Sequence, residues 1–262
     1  MARSSVWRRA VTRLRLNPES GSPAGVARES GFFDDYPRFY SSSVTGARPE
    51  RLNPRYRALI DANLACIRDR TVLDLASHDG RWTFAALKSG ARYAIGIEGR
   101  ASLVESAHST FREYGINGDR YRFVLGDVLE KLDSLPPESA QTVFCFGFFY
   151  HTPHHILLLS KIARFNPQQL ILDTAVDGST SEPVIRLTAE NILREANAPF
   201  PTPGDPTRAV VGVPSRSALE LMLGSFGWRF RYYDWHHAGI INWHGLSDYY
   251  TGRRVTLVAT RA

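Results

Sequence analysis

TVLDLASHDG, residues 71–80, decides how the rest of this chain reads. Thr71 to Ala76 is a short β-branched and apolar run that breaks into small residues and ends on Gly80. The next eight residues, RWTFAALK (81–88), have helical spacing, and Gly90 stands where that helix must stop. Strand, tight turn and helix N-terminus form the first half of a βαβ unit. In an open α/β sheet the ligand crevice lies at the carboxyl end of such a strand. Asp74 therefore lies near the crevice, and Gly80 lets a ligand approach the backbone closely. A dinucleotide site requires G-x-G-x-x-G at this turn. A-S-H-D-G offers a single glycine, which disfavours a nicotinamide or flavin nucleotide.

Two more acids extend the pattern. YAIGIE (93–98) reads as a second strand ending on Glu98, 24 residues after Asp74, where a carboxylate can accept both hydroxyls of a ribose. Residues 121–125 read as a third strand, closed by Gly126, Asp127 and Val128. Residues 74–80 resemble motif I of the class I S-adenosylmethionine-dependent methyltransferases, usually D-x-G-x-G-x-G, with Ala76 and His78 in two of the glycine positions. The resemblance implies S-adenosyl-L-methionine as cofactor and S-adenosyl-L-homocysteine as product. It implies a cofactor cradle of Asp74, Ala76, Ser77, His78 and Gly80 from the first loop, and Glu98, Gly99 and Arg100 from the second strand's end. Asp127 would accept from the adenine amino group while the Val128 N–H faces a ring nitrogen. Phe146, Tyr40 and Asn53 complete the expected cofactor set.

The implied fold is α/β: a seven-stranded Rossmann-like methyltransferase sheet, mostly parallel with the last strand antiparallel, helices on both faces and an N-terminal extension or lid. Residues 1–30 read as a basic, flexible arm, 31–53 as an aromatic lid segment and 54–262 as the methyltransferase domain. Within that domain, 177–214 is a substrate-side insertion with a helix near 188–196, and 235–253 is an aromatic loop between the last two strands. Cap signals place Ser102 with Glu105, Thr152 with Pro153, and Ser217 with Glu220 at helix starts. The 262 residues suffice for one α/β domain with a buried core. The formal charge is +6, and Arg3, Arg8, Arg9, Arg13 and Arg15 supply +5 of it from the first 16 residues. The body is thus nearly neutral, which weakens a nucleic-acid reading. No run approaches a membrane span. Two cysteines, Cys66 and Cys145, make no disulfide framework, and a cytoplasmic setting is expected.

The fourth strand ends in FGFFYH (146–151). Nitrogen-methylating nucleic-acid enzymes carry N/D-P-P-Y at this point, whereas this ending resembles the L-x-H or L-Y-H of small-molecule O-methyltransferases. Imidazole titrates in the neutral range and suits removal of a hydroxyl proton, so His151 is the expected general base, with His154 and Asp173 as further catalytic candidates. Tyr150, Trp235, His237, Trp243 and Tyr249 are the expected acceptor contacts, because aromatic rings with polar edges suit a sugar. His151, His154, His155, Asp173 and Asp177 have no diagnostic metal spacing. Magnesium also prefers carboxylates, so no metal ligand is assigned, although a divalent ion is a possible assistant. The expected function is O-methylation of a small-molecule or oligosaccharide acceptor at a sugar hydroxyl. The alternatives are a natural-product or lipid hydroxyl, a tRNA, or a scaffold that binds the cofactor without turnover.

Overall fold

The computed structural model describes residues 30–42 and 48–261; the basic arm, apart from Ser30, lies outside the described residues. Nine strands run in chain order as β1 (Thr71–Leu75), β2 (Tyr93–Glu98), β3 (Tyr121–Leu125), β4 (Thr142–Phe146), β5 (Gln169–Ala175), β6 (Ile185–Asn191), β7 (Arg208–Pro214), β8 (Trp228–Tyr232) and β9 (Arg254–Arg261) among those residues. The helices are α1 (Pro49–Leu59), α2 (Arg81–Lys88), α3 (Ala101–Glu113), α4 (Val128–Ser134), α5 (His155–Ala163), α6 (Arg216–Ser225) and the one-turn α7 (Ser247–Tyr250). Seven strands form one sheet in the order β3-β2-β1-β4-β5-β9-β8. β1 to β5 are parallel neighbours, and β9 runs antiparallel between β5 and β8. The expected seven-stranded sheet is therefore present, with its one reversed strand at the expected place. Strand order reverses between β1 and β4, the position where open α/β sheets form a ligand crevice.

Every residue of β1 and β4 is buried, as parallel strands covered on both faces must be. Successive side chains then feed opposite cores. Leu73, Leu75, Val143 and Cys145 join the cluster with Leu158, Leu159 and Ile162 of α5 and Leu219 and Leu223 of α6. Val72, Phe144 and Phe146 join the other, with Leu52, Leu59, Trp82, Phe84 and Phe111. The aromatic segment before α1 belongs to this second core. Phe33 and Phe39 are fully buried, and Phe32 stacks on Tyr56 at 4.1 Å between ring centroids.

Local corrections concern starts and ends. No helix forms near 188–196: β6 runs to Asn191, pairing antiparallel with β7, Leu187 opposite Gly212 and Glu190 opposite Ala209, and residues 192–196 form a turn. TAENILREA has good helix formers, but the β-branched RAVVGVP supplies a strand partner, and tertiary pairing overrides propensity. α5 starts at His155 instead of Pro153, because the Thr152 hydroxyl accepts from the His154 N–H in a local turn. Ser215, rather than Ser217, caps α6 by accepting from the Ala218 N–H. α3 has Arg100 at its N-cap with no side-chain cap, so Ser102 already lies inside the first turn. Among the described residues no helix is long and apolar enough to cross a membrane.

Candidate functional site

After β1 the chain turns through three left-handed residues: Ala76 at φ 53°, His78 at φ 56° and Gly80 at φ 75°. These are the three glycine positions of the D-x-G-x-G-x-G pattern. The backbone keeps the glycine conformation with alanine and histidine in place, at a cost of roughly 1–2 kcal/mol each for an L-residue. At Gly80 a side chain is barred on space as well, since a Cβ would lie 2.8 Å from the Phe123 ring. Asp74 and Asp79 support the turn from beneath. Asp74 accepts from Thr83 Oγ1 at 2.7 Å, and burial pushes its carboxyl up to about 7. Asp79 takes a bidentate bond from Arg81, 2.7 Å to each oxygen. Burial would raise Asp79, but Arg81 and His78 outweigh it and hold it well below the usual carboxylate range.

Glu98, 4% exposed at the end of β2, borders the crevice. Its Oε2 accepts from the His78 N–H at 2.9 Å and its Oε1 from the Arg100 N–H at 2.8 Å. Each oxygen keeps a second lone pair for a hydroxyl of a ligand. Asp127 caps α4 through Oδ1, which accepts from Leu129 and Glu130 N–H, and Val128 begins the helix with an N–H that has no intrahelical acceptor. The turn after β6 closes over this end. Arg100 donates to the carbonyls of Ile192, Arg194 and Asn197, and Glu195 Oε1 lies 3.1 Å from His78 Nε2. Gly99 leaves room for Pro199 and Phe200, which a Cβ would meet at 2.6 and 2.8 Å.

Beyond β4 a 3₁₀ turn, Phe149–His151, carries the candidate base. His151 Nδ1 lies 2.7 Å from Glu190 Oε2 of β6, and the same oxygen accepts from the Ala198 N–H at 3.1 Å. His151 and Tyr150 both line the crevice, with ring centroids 4.1 Å apart. His154 is exposed on the surface and does not line the crevice. His155 is fully buried against Phe149, both ring nitrogens lack a partner among the described residues, and burial lowers its pKa.

Asp173 lies behind the crevice wall, fully buried, as a structural node. Its Oδ1 accepts from Arg55 Nη2 at 3.1 Å and Arg254 Nε at 2.7 Å; its Oδ2 accepts from the Tyr249 hydroxyl and Thr256 Oγ1, each at 2.8 Å. Burial would raise Asp173, but Arg254 and Arg55 outweigh it and hold it far below the usual carboxylate range. Both oxygens are occupied, so this carboxylate is poorly disposed to take a substrate proton. Tyr249 is committed to it, and burial pushes that phenol up. Trp235 packs 4.0 Å from Tyr249 and donates to Thr256 Oγ1. Trp243 packs on His236 and Tyr250, while His237 is exposed and pairs with Asp234. The 235–253 loop thus packs on itself and on Ala58.

Of the residues expected from the sequence, Ala76, His78, Glu98, Gly99, Arg100, Asp127, Val128, Phe146, Tyr150 and His151 meet around one crevice. Asp74, Ser77 and Gly80 do not border it. Tyr40 and Asn53 hydrogen-bond each other and Asp34, away from the crevice. Trp235, His237, Trp243 and Tyr249 do not border it. Sequence reasoning missed Arg55, Arg81, Trp82, Arg254 and Glu190. One signal for Arg55 and Arg254 existed: an aspartate inside the apolar strand QLILDTA requires buried cationic partners. Among the described residues no group of three or more His, Cys, Asp or Glu is arranged to hold a metal. Glu98, Asp127, the Val128 N–H and the left-handed loop fit an adenosine-bearing cofactor: acceptors for ribose hydroxyls and an adenine amino group, a donor for a ring nitrogen, and an open backbone.

Residues 72–166 match a family model described as a methyltransferase domain. The chain is 32% identical over 118 residues to the tRNA U34 carboxymethyltransferase of Cellvibrio japonicus (strain Ueda107), a match covering 44% of this chain and about a third, 35%, of that protein. The N-terminal domain of EvdMO1 with SAH bound aligns at 19% identity and TM-score 0.59, over 80% of this chain and 82% of that one. The same domain in the presence of SAH and D-fucose aligns at 18% and TM-score 0.57, over 88% and 97%. An S-adenosylmethionine-dependent methyltransferase from Mesorhizobium loti aligns at 12% and TM-score 0.57, over 81% and 100%. The matched methyltransferase domain runs from β1 to just past α5, and around it the whole seven-stranded sheet has the fold seen in S-adenosylmethionine-dependent methyltransferases.

Proposed function

We propose that the protein methylates a hydroxyl of a sugar-bearing small molecule, with His151 as general base. S-adenosylmethionine, when bound, supplies a methyl group activated on a sulfonium. Glu98 accepts the ribose hydroxyls, Asp127 and the Val128 N–H read the adenine edge, and the 195–200 turn excludes water from that end. The observation that carries the base assignment is the His151–Glu190 pair, 2.7 Å across at the crevice wall. With the Nδ1 proton directed at Glu190, the neutral imidazole has its lone pair on Nε2 and accepts the acceptor's hydroxyl proton as the C–O bond forms. Glu190 fixes the ring and stabilises the imidazolium. Trp82, Phe148 and Tyr150 give this wall apolar faces, with Arg51, Arg55 and Arg254 as a polar rim, a combination suited to the C–H face and hydroxyl edge of a sugar. The EvdMO1 domain in the presence of D-fucose adds support to the sugar reading.

A second reading is transfer to tRNA, favoured by the 118-residue match to the tRNA U34 carboxymethyltransferase. A labelled-methyl assay against mono- and oligosaccharides, polyketide alcohols and tRNA separates the two. The expected result is label in a hydroxylated small molecule; label in tRNA alone overturns the sugar reading. With the acceptor so found, His151→Ala should lower kcat by about 10²–10⁴-fold and leave S-adenosylhomocysteine affinity unchanged. A variant that keeps more than a third of kcat means the base lies elsewhere.

A further inference from the structure

We propose that the arginine end of the crevice, Arg55 and Arg254 with Arg51 at the rim, binds an oxyanion carried by the acceptor. The acceptor would then be an acidic sugar, bearing a carboxylate or a phosphate near the methylated hydroxyl. This rests on the preceding reading and narrows its substrate class.

The charges of this cluster do not cancel. Three guanidiniums, those of Arg51, Arg55 and Arg254, share two carboxylates, Asp248 and Asp173. Arg51 is fully engaged, 2.8 Å from each Asp248 oxygen. Arg55 is not. It is 8% exposed, makes one hydrogen bond, Nη2 to Asp173 at 3.1 Å, and its buried Nε has no partner among the described residues. Its guanidinium lies 5.0 Å from the Trp82 ring and borders the crevice. A desolvated cation with unused donors is costly unless an anion completes it, and a planar guanidinium offers paired donors that match an oxyanion.

The location favours the acceptor over the cofactor. Arg254 begins β9 opposite Ala175 at the end of β5, whereas Glu98 ends β2, with β1, β4 and β5 between the two residues in the sheet. The arginine end also adjoins the base. Arg254 Nη1 lies 3.5 Å from the Tyr150 hydroxyl, its guanidinium sits 5.4 Å from the Tyr150 ring, and that ring contacts His151. One aromatic residue thus separates the anion site from the proton acceptor, and a single sugar ring can reach both.

The test is calorimetric titration of the S-adenosylhomocysteine-saturated full chain with hexuronates, hexose phosphates and the matching neutral hexoses. At least one acidic sugar should bind about tenfold or more tighter than its neutral counterpart, the scale of a charge-assisted bond. Arg55→Met should remove that preference and change S-adenosylhomocysteine affinity less than twofold. Arg55→Lys, which keeps the charge but not the fork, should retain part of it and serves if the methionine variant does not fold. Equal binding of acidic and neutral sugars, with the cofactor product still bound, overturns the inference and leaves the cofactor reading intact. A tenfold loss of S-adenosylhomocysteine affinity in Arg55→Met, with binding of 5′-methylthioadenosine unchanged, assigns the site to the cofactor's own carboxylate and also overturns it. Failure of the unaltered protein to bind S-adenosylhomocysteine overturns the preceding reading instead.

Discussion

At Asp74 the fold holds a carboxyl that is 1% exposed and bonded to Thr83 Oγ1, and burial pushes it up to about 7. A carboxyl raised above its unfolded value favours folding fully at pH below about 4 and loses that contribution as pH rises through 7. The loss is on the order of 4 kcal/mol. Asp74→Asn is nearly isosteric and carries no charge. Its unfolding free energy should match wild type near pH 4 and exceed it by a few kcal/mol at pH 8, as measured by urea denaturation at both values. Parallel pH dependences would mean that Asp74 ionises freely in the folded protein. The neighbouring loop marks a limit of reading at this scale. Ala76 and His78 look in the sequence like an eroded glycine motif, yet their backbones hold φ of 53° and 56°. Residue identity was legible; the conformation imposed by the β1–α2 connection was not.

The β6–β7 hairpin is the element that joins the insertion to His151, the proposed base. Gly212 on β7 faces the start of α5, where a Cβ would lie 2.8 Å from Ile185 Cγ2 and 2.9 Å from His155 Cε1. That close approach keeps Glu190, on the paired strand, within reach of His151. Gly212→Val should overpack the contact at a cost of about 1–3 kcal/mol and lower kcat by about tenfold or more through loss of the orienting carboxylate. Glu190→Gln should lower kcat similarly without the stability cost. Because both act through one pair, the double variant should be no slower than the worse single one; multiplicative losses would show that the hairpin does not work through His151. The same hairpin explains where sequence reading stopped. β1, β2, β4, β5 and β9 announce themselves as apolar runs near turn residues, because buried strands of a covered sheet must be apolar, while the edge strands β3 and β8, YRFVL and WRFRY, show as aromatic and β-branched residues interrupted by arginines. The segment 188–196 has helix-forming composition, and its first part, to Asn191, becomes strand only through a partner some 20 residues on. Glu190 is therefore invisible in the sequence as a neighbour of His151, and the aromatic 235–253 loop reads as a site because its partners, Ala58 and the Asp173 node, are distant in sequence.

At the scale of the whole molecule, the proposed cofactor contacts span the ends of β1 to β4 and the underside of the 195–200 turn, so binding should stabilise the sheet and its cover as one unit. At a hundredfold excess over Kd, a ligand specific for the folded state adds about 2.7 kcal/mol, which for a body of this size raises Tm by roughly 5–10 °C. S-adenosylhomocysteine should give that shift in a single transition. Glu98 ties the two halves of the binding edge together, accepting from the His78 N–H of the first loop and the Arg100 N–H of the second. Glu98→Gln replaces one acceptor oxygen with a donor and removes the charge that would strengthen the proposed bonds to ribose hydroxyls. Losing charge-assisted bonds worth about 1.5–3 kcal/mol should cut the Tm shift at the same ligand concentration by more than half. The variant's own Tm without ligand separates this from a general weakening of the fold. Equal shifts in Glu98→Gln and wild type would mean that the β2 acid does not hold the ribose, and the cofactor would have to lie differently across the sheet.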